Sequence, residues 1–184
     1  MKKRTVALLM AAVLLFGAAM GGTLALLTQK TETITNTFTA GKVSITLTET
    51  EPSDKTIKVI PGKEVTKNPT ITVKDGSEAC YVFVKVDAAD GLSTYVTYTV
   101  DTANWKQVDG ETNVWYKEFS TTVSGDQALN ILTGNKVAFS NALTAAQVSG
   151  IPQAGLGLSF TGYAVQKEGV ASVTAAWEIA EALV

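Results

Sequence analysis

Glu78-Ala79-Cys80-Tyr81-Val82-Phe83-Val84-Lys85-Val86-Asp87 carries the strongest apolar strand signal in the chain. The run is short, rich in β-branched and aromatic residues, and preceded by the turn signal Asp75-Gly76-Ser77, so it reads as a strand at the centre of a sheet. Shorter strands flank it. Val43-Ser44-Ile45-Thr46-Leu47-Thr48 alternates apolar and polar with period two, the pattern of a half-buried strand. Ile57 and Val59 alternate with polar residues from Lys55 to Ile60, ahead of the turn pair Pro61-Gly62, and Ile71 and Val73 form another short strand.

Downstream of the central run, Tyr95–Val100 reads as a strand. Trp105–Val108 and Val114–Phe119 flank Asp109–Asn113 and predict a hairpin; Leu129–Leu132 and Lys136–Phe139 flank Gly134-Asn135 and predict a second. In the last strand, Leu156–Gln166, the side chains of Leu156, Leu158, Phe160 and Ala164 share one face. Two segments read as short helices, near 141–149 and 172–184. In the second, Ser172 is the N-cap and Val173, Trp177, Ala180 and Val184 line one face, with Trp177 expected to clamp the helix onto the sheets.

About two dozen threonines follow residue 25 and give strands a wet, uncharged face. Eight to ten short strands with few helices predict an all-β chain, a two-sheet β-sandwich with jelly-roll topology as the first choice and an immunoglobulin-like one as the second.

The first 25 residues are set apart. Lys2, Lys3 and Arg4 precede an apolar stretch, Val6–Phe16, and Gly21-Gly22 leads into the small-x-small tripeptide Thr23-Leu24-Ala25. This is the pattern of a signal peptide cut between Ala25 and Leu26. The alternative is an uncleaved anchor, because Thr5–Gln29 carries no charge and about 25 residues suffice to span a bilayer. Both readings place the remainder outside the membrane. The expected organisation is a signal peptide over 1–25, an N-terminal strand segment over 26–40 and a β domain over 41–184.

Composition excludes several functions. The leader takes three of the fifteen basic residues and none of the seventeen acids, leaving a net charge of about −5. That balance argues against a nucleic-acid partner and against docking on anionic lipid, so the membrane enters only through the leader before cleavage. A single cysteine, Cys80, allows no intramolecular disulfide and reads as a buried structural thiol. Histidine is absent, which removes His-based triads and the usual zinc ligand sets. Asp87, Asp90, Asp101, Asp109, Glu111 and Asp126 lie mostly in turn segments and read as turn formers; a calcium site at Asp87-Ala-Ala-Asp90 stays open. No catalytic, cofactor-binding or metal-binding residue is assigned, and no cofactor is expected.

The order of several patches resembles the TasA/camelysin family of exported bacterial proteins. The passage Gly21-Gly22-Thr23-Leu24-Ala25, followed by Asn36-Thr37-Phe38-Thr39-Ala40-Gly41-Lys42-Val43, is similar to that family's leader and first strand. Pro61-Gly62, Lys67-Asn68-Pro69-Thr70-Ile71, Gly76–Val86, Val114-Trp115-Tyr116-Lys117 and Phe160–Gly169 with Ala176-Trp177 continue the likeness. The resemblance implies a secreted jelly-roll protein of the extracellular (biofilm) matrix or cell surface, and the absence of histidine makes a non-enzymatic role the expectation. It implies a homopolymer as the main partner, a dedicated signal peptidase acting during export, and fibres in which the N-terminal strand of one subunit completes a sheet of the next.

The residues bear on that expectation separately. Between 26 and 40, Ile34, Asn36, Phe38 and Ala40 share one face and five threonines the other, so the segment can add to an open sheet edge. Leu26, Leu27, Ile34 and Phe38 are its candidate anchors. Two alternatives remain. One is a monomeric surface module that binds carbohydrate through Tyr95, Tyr98, Trp105, Trp115 and Tyr116. The other is a camelysin-like metalloprotease, which the absence of histidine disfavours.

Overall fold

A computed structural model of the chain describes Met10 and residues 41–50, 57–152 and 156–182. The chain divides into two compact units, Met1–Thr39 and Ala40–Val184, and every strand and helix below belongs to the second. The strands are β1 (Ile45–Thr48), β2 (Glu64–Thr66), β3 (Thr70–Val73), β4 (Cys80–Ala88), β5 (Val96–Thr97), β6 (Lys106–Gln107), β7 (Val114–Phe119), β8 (Gln127–Asn130), β9 (Lys136–Phe139) and β10 (Leu158–Gln166). The helices are α1 (Ala145–Ser149) and α2 (Val173–Glu181). The chain is all-β, as expected, and its described strands form three antiparallel sheets ordered β1-β3-β8, β10-β4-β7-β6 and β2-β9-β5.

β4 is the middle of this arrangement because it is apolar on both faces. Alternate side chains of a strand point to opposite sides. Cys80, Val82, Val84 and Val86 enter one core together with Ile71, Val73, Leu129, Val137 and Phe139 of the other two sheets. Tyr81 and Phe83 enter a second core, where α2 closes over them with Ala176, Trp177 and Ala180. Each fully buried Val or Phe contributes about 1.5–3 kcal/mol of transfer free energy. β10 pairs with β4 from Leu158↔Ala88 to Gln166↔Cys80, and β7 pairs on the other side from Cys80↔Phe119 to Lys85↔Val114.

Trp177 holds α2 in place. It is 3 % exposed, its ring lies 5.5 Å from Phe83 and 5.4 Å from Tyr163, and its indole N–H donates to Glu111 Oε1 at 3.3 Å. The Ser172 hydroxyl accepts from Ala175 N at 3.1 Å, the N-cap read from the sequence.

Three local expectations are corrected. Leu129–Leu132 and Lys136–Phe139 do not form a hairpin. β8 pairs with β3, whereas β9 lies between β2 and β5. The Thr133–Asn135 turn, with Gly134 at φ 65° and Asn135 at φ 52°, redirects the chain from one sheet to another. Ile57–Ile60 is not a strand; the strand follows the Pro61-Gly62 turn at Glu64–Thr66 and takes the edge of β9. Helix α1 begins at Ala145 rather than near 141, because Thr144 and Gln147 form a reciprocal capping box.

Candidate functional site

The candidate anchors Leu26, Leu27, Ile34 and Phe38, and the cleavage pair Ala25 and Leu26, lie outside the described residues. What is described is the surface such a strand can meet. β1 and β10 each pair on one side only among the described residues, so each carries a row of open backbone groups. The two run antiparallel beside each other. Gly41 approaches Gln166, Ile45 and Ile71 close over Gly162, and Leu47–Glu49 share a groove with Leu158–Phe160.

That groove has a volume of about 310 Å³ and is floored by Leu47, Pro69, Leu158 and Phe160. A second cleft of about 340 Å³ continues it, and Glu49 and Leu158 line both. The second cleft is mainly apolar, with Ile57, Val59, Val96, Val137, Phe139 and Leu156 among its walls. Lys67 stands where the two meet. Its Nζ is 2.9 Å from Glu49 Oε1 and 5.3 Å from the Phe160 ring centroid, and the two charged side chains are only 12 % and 18 % exposed. Leu47, 37 % exposed, is one of the few large apolar side chains left open among the described residues. Among the described residues the site therefore combines two open strand edges with one mixed and one mainly apolar depression able to take alternate side chains.

No family model matches this chain, and neither a curated protein nor a solved structure is detectably similar to it.

The remaining candidates are dispersed. Asp101 caps a turn through Ala103 N and Asn104 Nδ2, and Glu111 accepts from Trp177. Asp126 accepts from Lys74 Nζ at 2.8 Å and Asp75 N at 3.0 Å, which holds its carboxyl below the usual range. Among the described residues no three of the metal-ligating types converge. Cys80 is fully buried, and burial pushes its thiol up to about 11. Among the described residues no helix is long and apolar enough to cross a membrane.

The five aromatics do not make one face. Trp105 is 1 % exposed and donates its N–H to Asn130 O at 2.8 Å, so it is a core residue. Tyr116 lies on the α2 side of its sheet with Tyr81 and Phe83. Tyr95 lines the apolar cleft. Only Tyr98 and Trp115 share a cleft. Sequence reasoning missed the adjacency of β1 and β10, since their pairing partners are both internal strands and nothing local marks two edges as neighbours.

Proposed function

We propose that this chain is a secreted structural protein of TasA/camelysin type, with a jelly-roll-like sandwich that assembles into extracellular fibres by strand addition between subunits. The adjacency of two strand edges, β1 and β10, open among the described residues and beside a groove of mixed polar and apolar lining, is the observation that carries this reading. Residues 26–40 of a second copy supply the strand. Main-chain hydrogen bonds to an open edge give affinity, and Ile34 and Phe38, four apart and on one face of an extended strand, are the side chains offered to the groove lined by Leu47 and Leu158. Such contact is heterologous, so it propagates as an open filament rather than closing as a dimer. Removal of the leader after Ala25 exposes the strand only once the chain is outside the cell, which keeps assembly extracellular.

The test compares the chain beginning at Leu26 with one lacking residues 26–35, both concentrated and viewed by electron microscopy. Filaments are expected from the first only, with circular dichroism showing both folded. Filaments from the shortened chain would overturn donation by that segment, and short disordered material from the longer one would overturn fibre formation.

A further inference from the structure

We propose that the cleft between Tyr98 and Trp115 binds one ring of a neutral saccharide. The cleft is about 250 Å³ and lies between the start of β7, the end of β4 and the Tyr98–Thr102 segment. It shares no lining residue with either of the two clefts beside β1 and β10. Saccharide binding and strand addition therefore use different surfaces.

Three features point to a ligand. First, the site has unspent hydrogen-bonding groups. Trp105 and Trp177 both donate their indole N–H to protein acceptors, whereas among the described residues the half-buried Trp115 donates to none. The Tyr98 and Thr112 hydroxyls are likewise without protein partners among the described residues. Second, the polar wall is held in position. Val86 N donates to Asn113 O at 2.9 Å, and Asn113 Nδ2 donates to Asp87 Oδ1, behind the lining, at 3.0 Å, leaving Asn113 Oδ1 as an acceptor. Third, the Tyr98 hydroxyl is partly withdrawn from water. Burial first, and then the charge of Asp87, push the Tyr98 phenol above its ordinary value.

The chemistry selects the ligand class. Two aromatic side chains flank an apolar C–H face, and fixed acceptors beside donors match hydroxyl groups, which both give and accept hydrogen bonds. The lining residues carry no charge of either sign, so nothing among them selects an anionic or a cationic ligand over a neutral one.

The test is saturation-transfer NMR on the secreted chain with glucose, galactose, mannose, N-acetylglucosamine and their short oligomers, alongside glucuronate and tetramethylammonium. Transfer to the C–H protons of at least one neutral sugar is expected, with Kd on the order of 1 mM for a single ring. Tyr98→Phe, which keeps the ring and removes the hydroxyl, is expected to weaken binding about threefold, and Trp115→Ala about tenfold or more. Because Trp115 also packs on the core, urea midpoints accompany both variants, and Tyr98→Phe carries the result if Trp115→Ala unfolds. The proposal is overturned by absence of transfer to every neutral sugar, by preference for glucuronate or tetramethylammonium, or by transfer that Tyr98→Phe leaves unchanged.

Discussion

Gly162 of β10 lies under Ile71 of β3 so closely that a Cβ at that glycine would stand 3.2 Å from Ile71 Cδ1. Ile45 Cδ1 would be 3.5 Å away. The missing side chain lets the β1-β3-β8 sheet approach the four-stranded sheet at the middle of β10. It also brings β1 and β10 side by side, each an open edge among the described residues.

Gly162→Val puts two extra methyls and a Cβ into that contact. Overpacking of this kind costs about 1–3 kcal/mol. Urea unfolding should show a lower midpoint with little change in slope. An unchanged or raised midpoint would mean that Ile71 moves aside freely and that the sheets are not held at this point.

Leu47→Lys places a charge on the open edge of β1, in the groove shared with Leu158 and Phe160. Edge lysines block strand addition. Stability should stay within about 0.5 kcal/mol of the parent, as for an exposed position, while filament formation is lost. Unaltered filaments would move the acceptor surface elsewhere.

Trp177→Ala removes the ring that seats α2 on Phe83 and Tyr163. It also strands the Glu111 carboxylate that accepted its N–H. A loss of about 3–5 kcal/mol is expected, with near-UV circular dichroism falling as the Phe83 and Tyr163 environments loosen. A loss below about 1 kcal/mol would show that α2 is not integral to the second core.

Cys80 couples folding to alkaline pH. Its thiol is pushed up to about 11 from 9.0 by burial, so the folded state resists losing that proton. The stabilisation is fully present below pH 9 and is lost as pH rises through about 11, at no more than about 1.4 kcal/mol per unit. The comparison is with Cys80→Ala, which shares every other alkaline effect and whose stability should fall less steeply between those values. Equal slopes would remove Cys80 as the cause. At pH 8 the thiol should react with alkylating reagents only on unfolding.

Much of the strand content was legible because it is written in local patterns. The continuous apolar run Cys80–Val84 marks a strand covered on both faces, and both covers exist. The hairpin across Asp109–Asn113 was legible too, and it closes with Lys106↔Tyr116 and Gln107↔Trp115. The helix 172–184 was readable from its cap and from Trp177. The capping box at Thr144-x-x-Gln147 was equally present in the sequence and would have placed the start of α1 correctly. The Gly134-Asn135 turn misled, because a left-handed turn signals a change of direction and does not say which strand the chain meets next. The aromatic residues misled for a similar reason: Trp105 and Trp115 look alike in sequence, yet one is core and the other half-exposed.

The sequence by itself determined that this chain is all-β, where most of its strands lie, and that histidine chemistry is closed to it, because period-two alternation, turn residues and composition are local properties. Tertiary structure alone decided that β8 and β9 part into different sheets, that β1 and β10 become neighbouring edges over Gly162, open among the described residues, and that Tyr98 and Trp115 line one cleft. Those outcomes depend on pairing between residues tens of positions apart, where packing against β4, not local preference, sets which edge is left open.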